Sequence, residues 1–126
     1  MIRTHSTYPA IYTLVKEIPC GEVASYKMVS SLVKGSTARI VGSAMAAVPS
    51  DAGVPWHRVI NSAGKISVRE GSQRQRDRLD AEGVAFTKGG KVDWKNHRWN
   101  GPSETWLESA GLDFIDFLTI QSNWPG

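Results

Sequence analysis

The chain has 126 residues, 40% of them hydrophobic, and a formal charge of +3 at pH 7; that suits one compact domain with its own core and leaves no room for a second full one. A single cysteine excludes an internal disulfide framework, and His5, His57 and His97 have no metal-ligand spacing with each other or with Cys20, so neither a metal nor a cofactor is expected. With no signal peptide, no lipidation signature and no apolar run long enough to span a bilayer, the expectation is a soluble intracellular protein with no membrane partner.

Tyr8 to Ile18 carries apolar residues at 11, 14, 15 and 18, the spacing of an amphipathic helix, with Ser6 or Thr7 as cap and Pro19-Cys20-Gly21 as its stop. Ser25 caps a second helix running through Val33, Gly35 ends it, and Ser36 or Thr37 starts a third that reaches about Val48. Two short helices across a glycine-containing turn are a helix-turn-helix candidate. Trp56 to Ile60 and Lys65 to Val68 flank Asn61-Ser62-Ala63-Gly64 as a hairpin. Ser72 with Gln75 has the capping-box pattern for a helix ending near Glu82 and Gly83. Val84 to Phe86 and Val92 to Trp94 suggest a second hairpin across Gly89-Gly90. The pattern is α+β, helices plus a small sheet of winged-helix type. From Gly101 the tail differs: Trp106, Leu107, Leu112, Phe114, Ile115, Phe117, Leu118 and Ile120 form amphipathic helical segments with acids between. It either packs on the domain or presents an apolar, acidic face to a partner.

Charge is unevenly spread. Residues 1–98 hold all 15 Lys and Arg against 8 carboxylates, whereas residues 99–126 hold 4 acids and no base. Between residues 58 and 78 there are 6 bases against Glu70 and Asp77. A solvated basic face or a polyanionic partner accounts for this.

Residues 55–60 read Pro-Trp-His-Arg-Val-Ile. The stretch resembles the Pro-Cys-His-Arg-Val active site of the O6-alkylguanine-DNA alkyltransferase family, with Trp56 in the place of the nucleophilic cysteine. Other positions share the likeness, which covers roughly residues 8–99. Gly21-Glu22-Val23 with Ser25-Tyr26 is similar to the family's turn into its helix-turn-helix, Ala38-Arg39-Ile40-Val41-Gly42 to the start of its recognition helix, and Leu79 to Gly83 to the segment that carries the glutamate orienting the histidine, here Glu82. An indole nitrogen is a donor only and has no thiolate-like state, so the transfer chemistry is lost. The resemblance is therefore to the alkyltransferase-like, non-catalytic members, with residues 1–100 as the DNA-binding domain and 101–126 as a helical extension of unknown role.

What the resemblance implies is a monomer that binds double-stranded DNA containing O6-alkylguanine through the minor groove, flips the lesion into a pocket and hands it to nucleotide excision repair proteins. Its place in the cell is then with the DNA, nucleoid-associated in a bacterium or nuclear in a eukaryote. The residues implied at the DNA are Tyr26, Ser36, Thr37, Ala38 and Arg39, with Arg39 as the finger inserted into the base stack and Tyr26 as the phosphate wedge. Those implied around the lesion are Tyr26, Met45, Pro55, Trp56, His57, Arg58, Val59 and, on a lid loop, Arg69. Residues 37–48 fit such a role, since Arg39 is their only long polar side chain and they carry little that reads base edges. Val48, before Pro49, replaces an asparagine common in the transferases, a further loss of polar chemistry.

The residues leave two other readings open. Cys20 could accept alkyl groups, or His57 and Glu82 activate water, although Cys20 lies over thirty residues before the motif with no adjacent activating pair. The chain could instead be a winged-helix regulator reading a specific operator, which would need a recognition helix rich in Asn, Gln, Arg or Lys.

Overall fold

A computed structural model describes residues 5–125. α1, Tyr8–Val15, has Pro9 in its first turn, where the missing N–H breaks no helical bond, and buries Ile11, Leu14 and Val15. The helix stops three residues earlier than its apolar spacing suggests. Ile18 is buried from a turn, its N–H donating to the Val15 carbonyl at 3.0 Å.

β1, Ala24–Ser25, leads directly into α2, Tyr26–Ser31, and the Ser25 hydroxyl accepts from Met28 N at 3.0 Å. Leu32 and Val33 lie beyond the helix end, on tighter bonds to the Val29 and Ser30 carbonyls. After Gly35, whose φ of +86° suits a turn, α3 runs from Ala38 to Ala46 with Thr37 as its cap. It too ends short of the expected Val48. α2 packs against α3, and both pack on α1, which makes the expected helix-turn-helix.

The expected first hairpin is not formed. β2, Val59–Ile60, pairs in parallel with β1 in the register Ala24↔Val59 and Ser25↔Ile60, and Trp56–Arg58 before it is a single 3-10 turn. The Asn61 side chain accepts from Ala63 N and Lys65 N, closing a local turn in place of a strand ladder. Ser72 is likewise not a cap. α4, Ser72–Ala81, begins after Gly71 at φ +89°, and Gln75 is fully buried, donating to the carbonyls of His57 at 3.2 Å and Val59 at 3.0 Å. The second hairpin is reduced to one antiparallel bridge, Phe86↔Val92. A short α5, Trp94–His97, follows.

The main core joins α1, α2 and α3 to Trp99, and a smaller cluster of Val23, Ile60, Leu79, Val84 and Val92 sits under α4. The fold is α+β. α6, Glu104–Ser109, and α7, Phe114–Gln121, contribute Trp106, Leu107 and Phe117 to the main core. Trp124 stacks on Trp99 with ring centres 5.8 Å apart, and Phe117 meets Trp124 edge-on at 5.9 Å. Gly101, at φ +121°, lets the Phe117 ring come so close that any Cβ there would collide with it. The tail packs on the domain and still leaves Phe114, Ile115 and Leu118 exposed, Ile115 at 72%.

If the tail is part of the core, Phe117→Ala lowers the unfolding free energy by about 3 kcal/mol. Urea denaturation followed by tryptophan fluorescence measures this, and an unchanged midpoint would show that α7 packs loosely.

Candidate functional site

Pro55, with φ −77° and ψ 66°, forms an inverse γ-turn in which Trp56 N donates to the Val54 carbonyl at 2.8 Å. This turn and the 3-10 turn after it set three consecutive side chains in different surroundings. Trp56 is half-buried at a cleft, His57 is buried, and Arg58 reaches back across the domain.

Glu82, at the end of α4, binds the latter two. Its carboxylate is 2.6 Å from His57 Nε2, accepts from Arg58 Nε at 3.0 and 3.1 Å and from Arg58 Nη2 at 2.8 Å, and accepts from Gly21 N at 3.1 Å. Arg58 Nη1 donates to the Ile18 carbonyl at 2.8 Å. Burial pushes the Glu82 pKa up, but the bonds from Arg58, His57 and Gly21 outweigh it and bring the pKa from 4.5 to about 2. Burial lowers the pKa of His57, aided by Arg58 and Arg78 and opposed by Glu82. His57 is therefore neutral at pH 7. Facing an ionised carboxylate it carries its proton on Nε2, which leaves Nδ1 as a bare acceptor, buried and without a partner among the described residues. That acceptor is the atom a nucleophile's proton would need. What stands beside it is the Trp56 indole, edge-on at 6.1 Å between ring centres.

The indole separates two clefts. One, of about 580 Å³, is lined by Met45, Ala46, Val48, Trp56, Arg69, Glu70, Gly71 and Arg74. The other, of about 470 Å³, runs from Val48 and Pro49 past Pro55, Trp56 and His57 to Arg58, Arg74 and Arg78. Three guanidinium groups surround the same ring: Arg74 at 5.3 Å, Arg78 at 5.4 Å and Arg69 at 5.9 Å from its centre. Arg69 is held there by a bond from Nη2 to Gln75 Oε1 at 3.1 Å.

Met45, Pro55, Trp56, His57 and Arg69 thus meet at these clefts, while Arg58 lines the second but spends its donors on Glu82 and Ile18. Two expected pocket residues lie elsewhere. Val59 is fully buried in β2, because the parallel pairing with Ala24 turns it into the core. Tyr26 lies on α2 with its ring against Gly42 of α3. The exposed Arg39 and Ala46 and the half-buried Gly42 fall at helical i, i+7 and i+3, so one face of α3 leads from Arg39 past the Tyr26 ring to the first cleft. Thr37 caps α3, and Ser36 bonds back to the Ser30 and Val33 carbonyls, so both shape the turn before Ala38 and Arg39. Arg74 and Arg78 were not anticipated as site residues. Their i, i+4 spacing was the available signal, since it puts both on one face of the helix that ends in Glu82. Cys20 is exposed in the turn that Gly21 brings up to Glu82, lines neither cleft and makes no hydrogen bond to His57.

Residues 6–84 match the family of the 6-O-methylguanine DNA methyltransferase DNA-binding domain. The chain is 47% identical over 87 residues to Alkyltransferase-like protein 1 of Schizosaccharomyces pombe, covering 66% of this chain and 81% of that protein. It is 39% identical over 92 residues to the DNA base-flipping protein of Escherichia coli, covering 71% of each. Among solved structures, S. pombe Atl1 in complex with damaged DNA containing O6-carboxymethylguanine superposes with a TM-score of 0.67 at 42% identity, over 78% of this chain and 98% of that one.

Because the folded-state pKa of Glu82 is depressed, its stabilisation is fully present above about pH 4.5 and is lost as pH falls toward about 2. His57, whose folded pKa is also lowered, adds an earlier loss beginning below its ordinary 6.5. Glu82→Ala removes the lower limb and, by leaving Arg58 half-buried without its partner, costs about 3 kcal/mol at neutral pH. Acid titrations of both proteins followed by circular dichroism test this; superimposable curves would contradict it.

Proposed function

The chain belongs to the DNA-binding-domain family of the 6-O-methylguanine DNA methyltransferases, as an alkyltransferase-like member, and from that premise we propose that it binds duplex DNA containing O6-alkylguanine, turns the damaged base into the cleft beside Trp56, and holds it without transferring the alkyl group. One observation carries this reading: the His57–Glu82–Arg58 framework is complete, while the position it would activate is an indole. The protein is not an enzyme on this reading. It binds, orients and marks.

The α3 face from Arg39 to Ala46 supports entry through the minor groove, with Arg39 filling the space a flipped base vacates and Tyr26 against the neighbouring phosphate. Small residues along that face allow close approach to the backbone and offer little to base edges, so binding is independent of sequence. Burying one extra methyl is worth only about 0.8 kcal/mol, too little to separate O6-methylguanine from the excess of guanine. The O6-alkyl group also removes the N1 proton and weakens pairing, so extrusion costs less for the damaged base. Trp56 gives the extruded purine a stacking surface, and Arg69 over the same ring reads the lesion. The bound protein acts as a monomer, shields the site from true alkyltransferases and presents it to nucleotide excision repair.

Titration of fluorescent duplexes with and without O6-methylguanine at two salt concentrations tests the reading. Tighter binding of the modified duplex is expected at both, and equal affinities would overturn it. Arg39→Ala loses lesion affinity several-fold, whereas Arg69→Ala mainly narrows the gap between damaged and normal DNA; an equal loss on both duplexes for Arg69→Ala would remove its assigned role. Trp56→Cys gives no efficient transfer, because Val48 and the cleft differ as well; rapid stoichiometric uptake of a labelled methyl group would refute this.

A further inference from the structure

The tail returns to the helix-turn-helix and is fastened there. Trp124 Nε1 donates to the Ser31 hydroxyl of α2 at 3.0 Å, and the Pro125 carbonyl accepts from Arg98 Nη1 at 2.9 Å. Between the tail and α2 lies a third cleft, of about 420 Å³. Met28, Ile120, Trp124 and Pro125 give it an apolar floor, and the exposed Lys27, Ser62 and Asn123 stand at its rim. The tail carries four acids and no base, yet Glu104, Glu108, Asp113 and Asp116 all lie outside this lining. It brings only neutral side chains to the cleft that it shares with Lys27, whose ammonium makes no ion pair among the described residues. The charge at the cleft is therefore left positive, which favours an anionic guest.

The cleft is continuous with the side of the domain that the reading above turns to the DNA. Ser25 and Lys27 line it, and Tyr26 between them lays its ring on Gly42, in the α3 face that starts at Arg39. Resting on that DNA-binding reading, we infer that the cleft seats one sugar–phosphate unit of the duplex beside the one that Tyr26 meets, the phosphate on Lys27 and the deoxyribose against Ile120 and Pro125. The lining matches such a unit in kind, with an ammonium for the anion, the Ser62 hydroxyl and Asn123 amide next to it, and an aliphatic wall for the sugar. A bare anion would leave that wall unused, and a wholly apolar guest would leave Lys27 unused. The tail, which lies beyond the family match over residues 6–84, is then part of the grip on DNA.

A contact to the backbone adds affinity without adding lesion preference or base readout. To test it, single phosphates of an O6-methylguanine duplex and of its unmodified counterpart are replaced in turn by neutral methylphosphonate, and the full chain is titrated by anisotropy. At one position the replacement is expected to weaken the wild-type chain about threefold on both duplexes, the weight of one exposed ion pair, and to leave Lys27→Gln unaffected. Asn123→Asp, which sets a carboxylate at the rim from the tail side, is expected to bind the native duplexes about threefold more weakly and to recover when that same phosphate is neutral. Each comparison is made within one protein and is insensitive to its overall affinity. A loss in Asn123→Asp that is nil, or that is the same at every phosphate, takes the tail away from the DNA and overturns the inference. So does a Lys27→Gln variant that responds to every replacement as the wild type does. In either case a surviving preference of the wild-type chain for the modified duplex leaves the lesion-binding reading standing. Equal affinity for the two duplexes, with the shared phosphate position still present, overturns the lesion reading and supports this one.

Discussion

The Glu82 carboxylate is the point on which the site depends. It receives His57 and Arg58 from the 3-10 turn and Gly21 from the turn between α1 and β1. The C-terminus of α4, the 3-10 turn and that turn are thereby fixed together at 2.6 to 3.1 Å. Buried donors and acceptors of this kind act less by adding net stability than by leaving no alternative arrangement in which all are satisfied. Gln75 repeats the device one face away, its amide tying α4 to the carbonyls of His57 and Val59. Trp56, between these anchors, has its backbone held on both sides.

The framework thus surrounds an indole, which has no thiolate-like state, and on the proposed reading its use is positional. It presents a flat aromatic surface at the mouth of two clefts and surrounds it with guanidinium groups carried by α4 and the preceding loop. The tail supports this from a distance: Trp106, Phe117 and Trp124 complete the core around Trp99, and the Trp99 N–H in turn donates to the Val23 carbonyl just before β1.

Much of this was legible in the amino-acid sequence, and the misses have physical causes. Ser25 and Thr37 cap helices as their residue types suggest, because a cap is a local bond between neighbours. The pairing of His57 with Glu82 followed from the family likeness, which carries long-range information that periodicity lacks. The parallel match of Ala24 with Val59 was invisible, since two-residue strands have no period and their partners lie 35 positions apart. Lys65 to Val68 read as a strand, yet Asn61 closes the turn with its own side chain and leaves Val68 exposed. Gln75 read as a cap because its spacing from Ser72 is right; burial against two unpaired carbonyls claimed it instead. Arg74 and Arg78 fall in a basic stretch that the sequence leaves open between a solvated face and a polyanionic partner, and only the folded chain brings Trp56 beneath them.

On the lesion-binding reading, an intact anchoring network holds an inert ring where a damaged base is retained. The most direct measurement is a crystal structure of the chain on a duplex with a single O6-methylguanine. The modified base is expected outside the helix and stacked at Trp56, its O6–methyl bond unbroken, with Arg39 in the gap it left. A damaged base still paired within the duplex, or a methyl group attached to any protein atom, would contradict it.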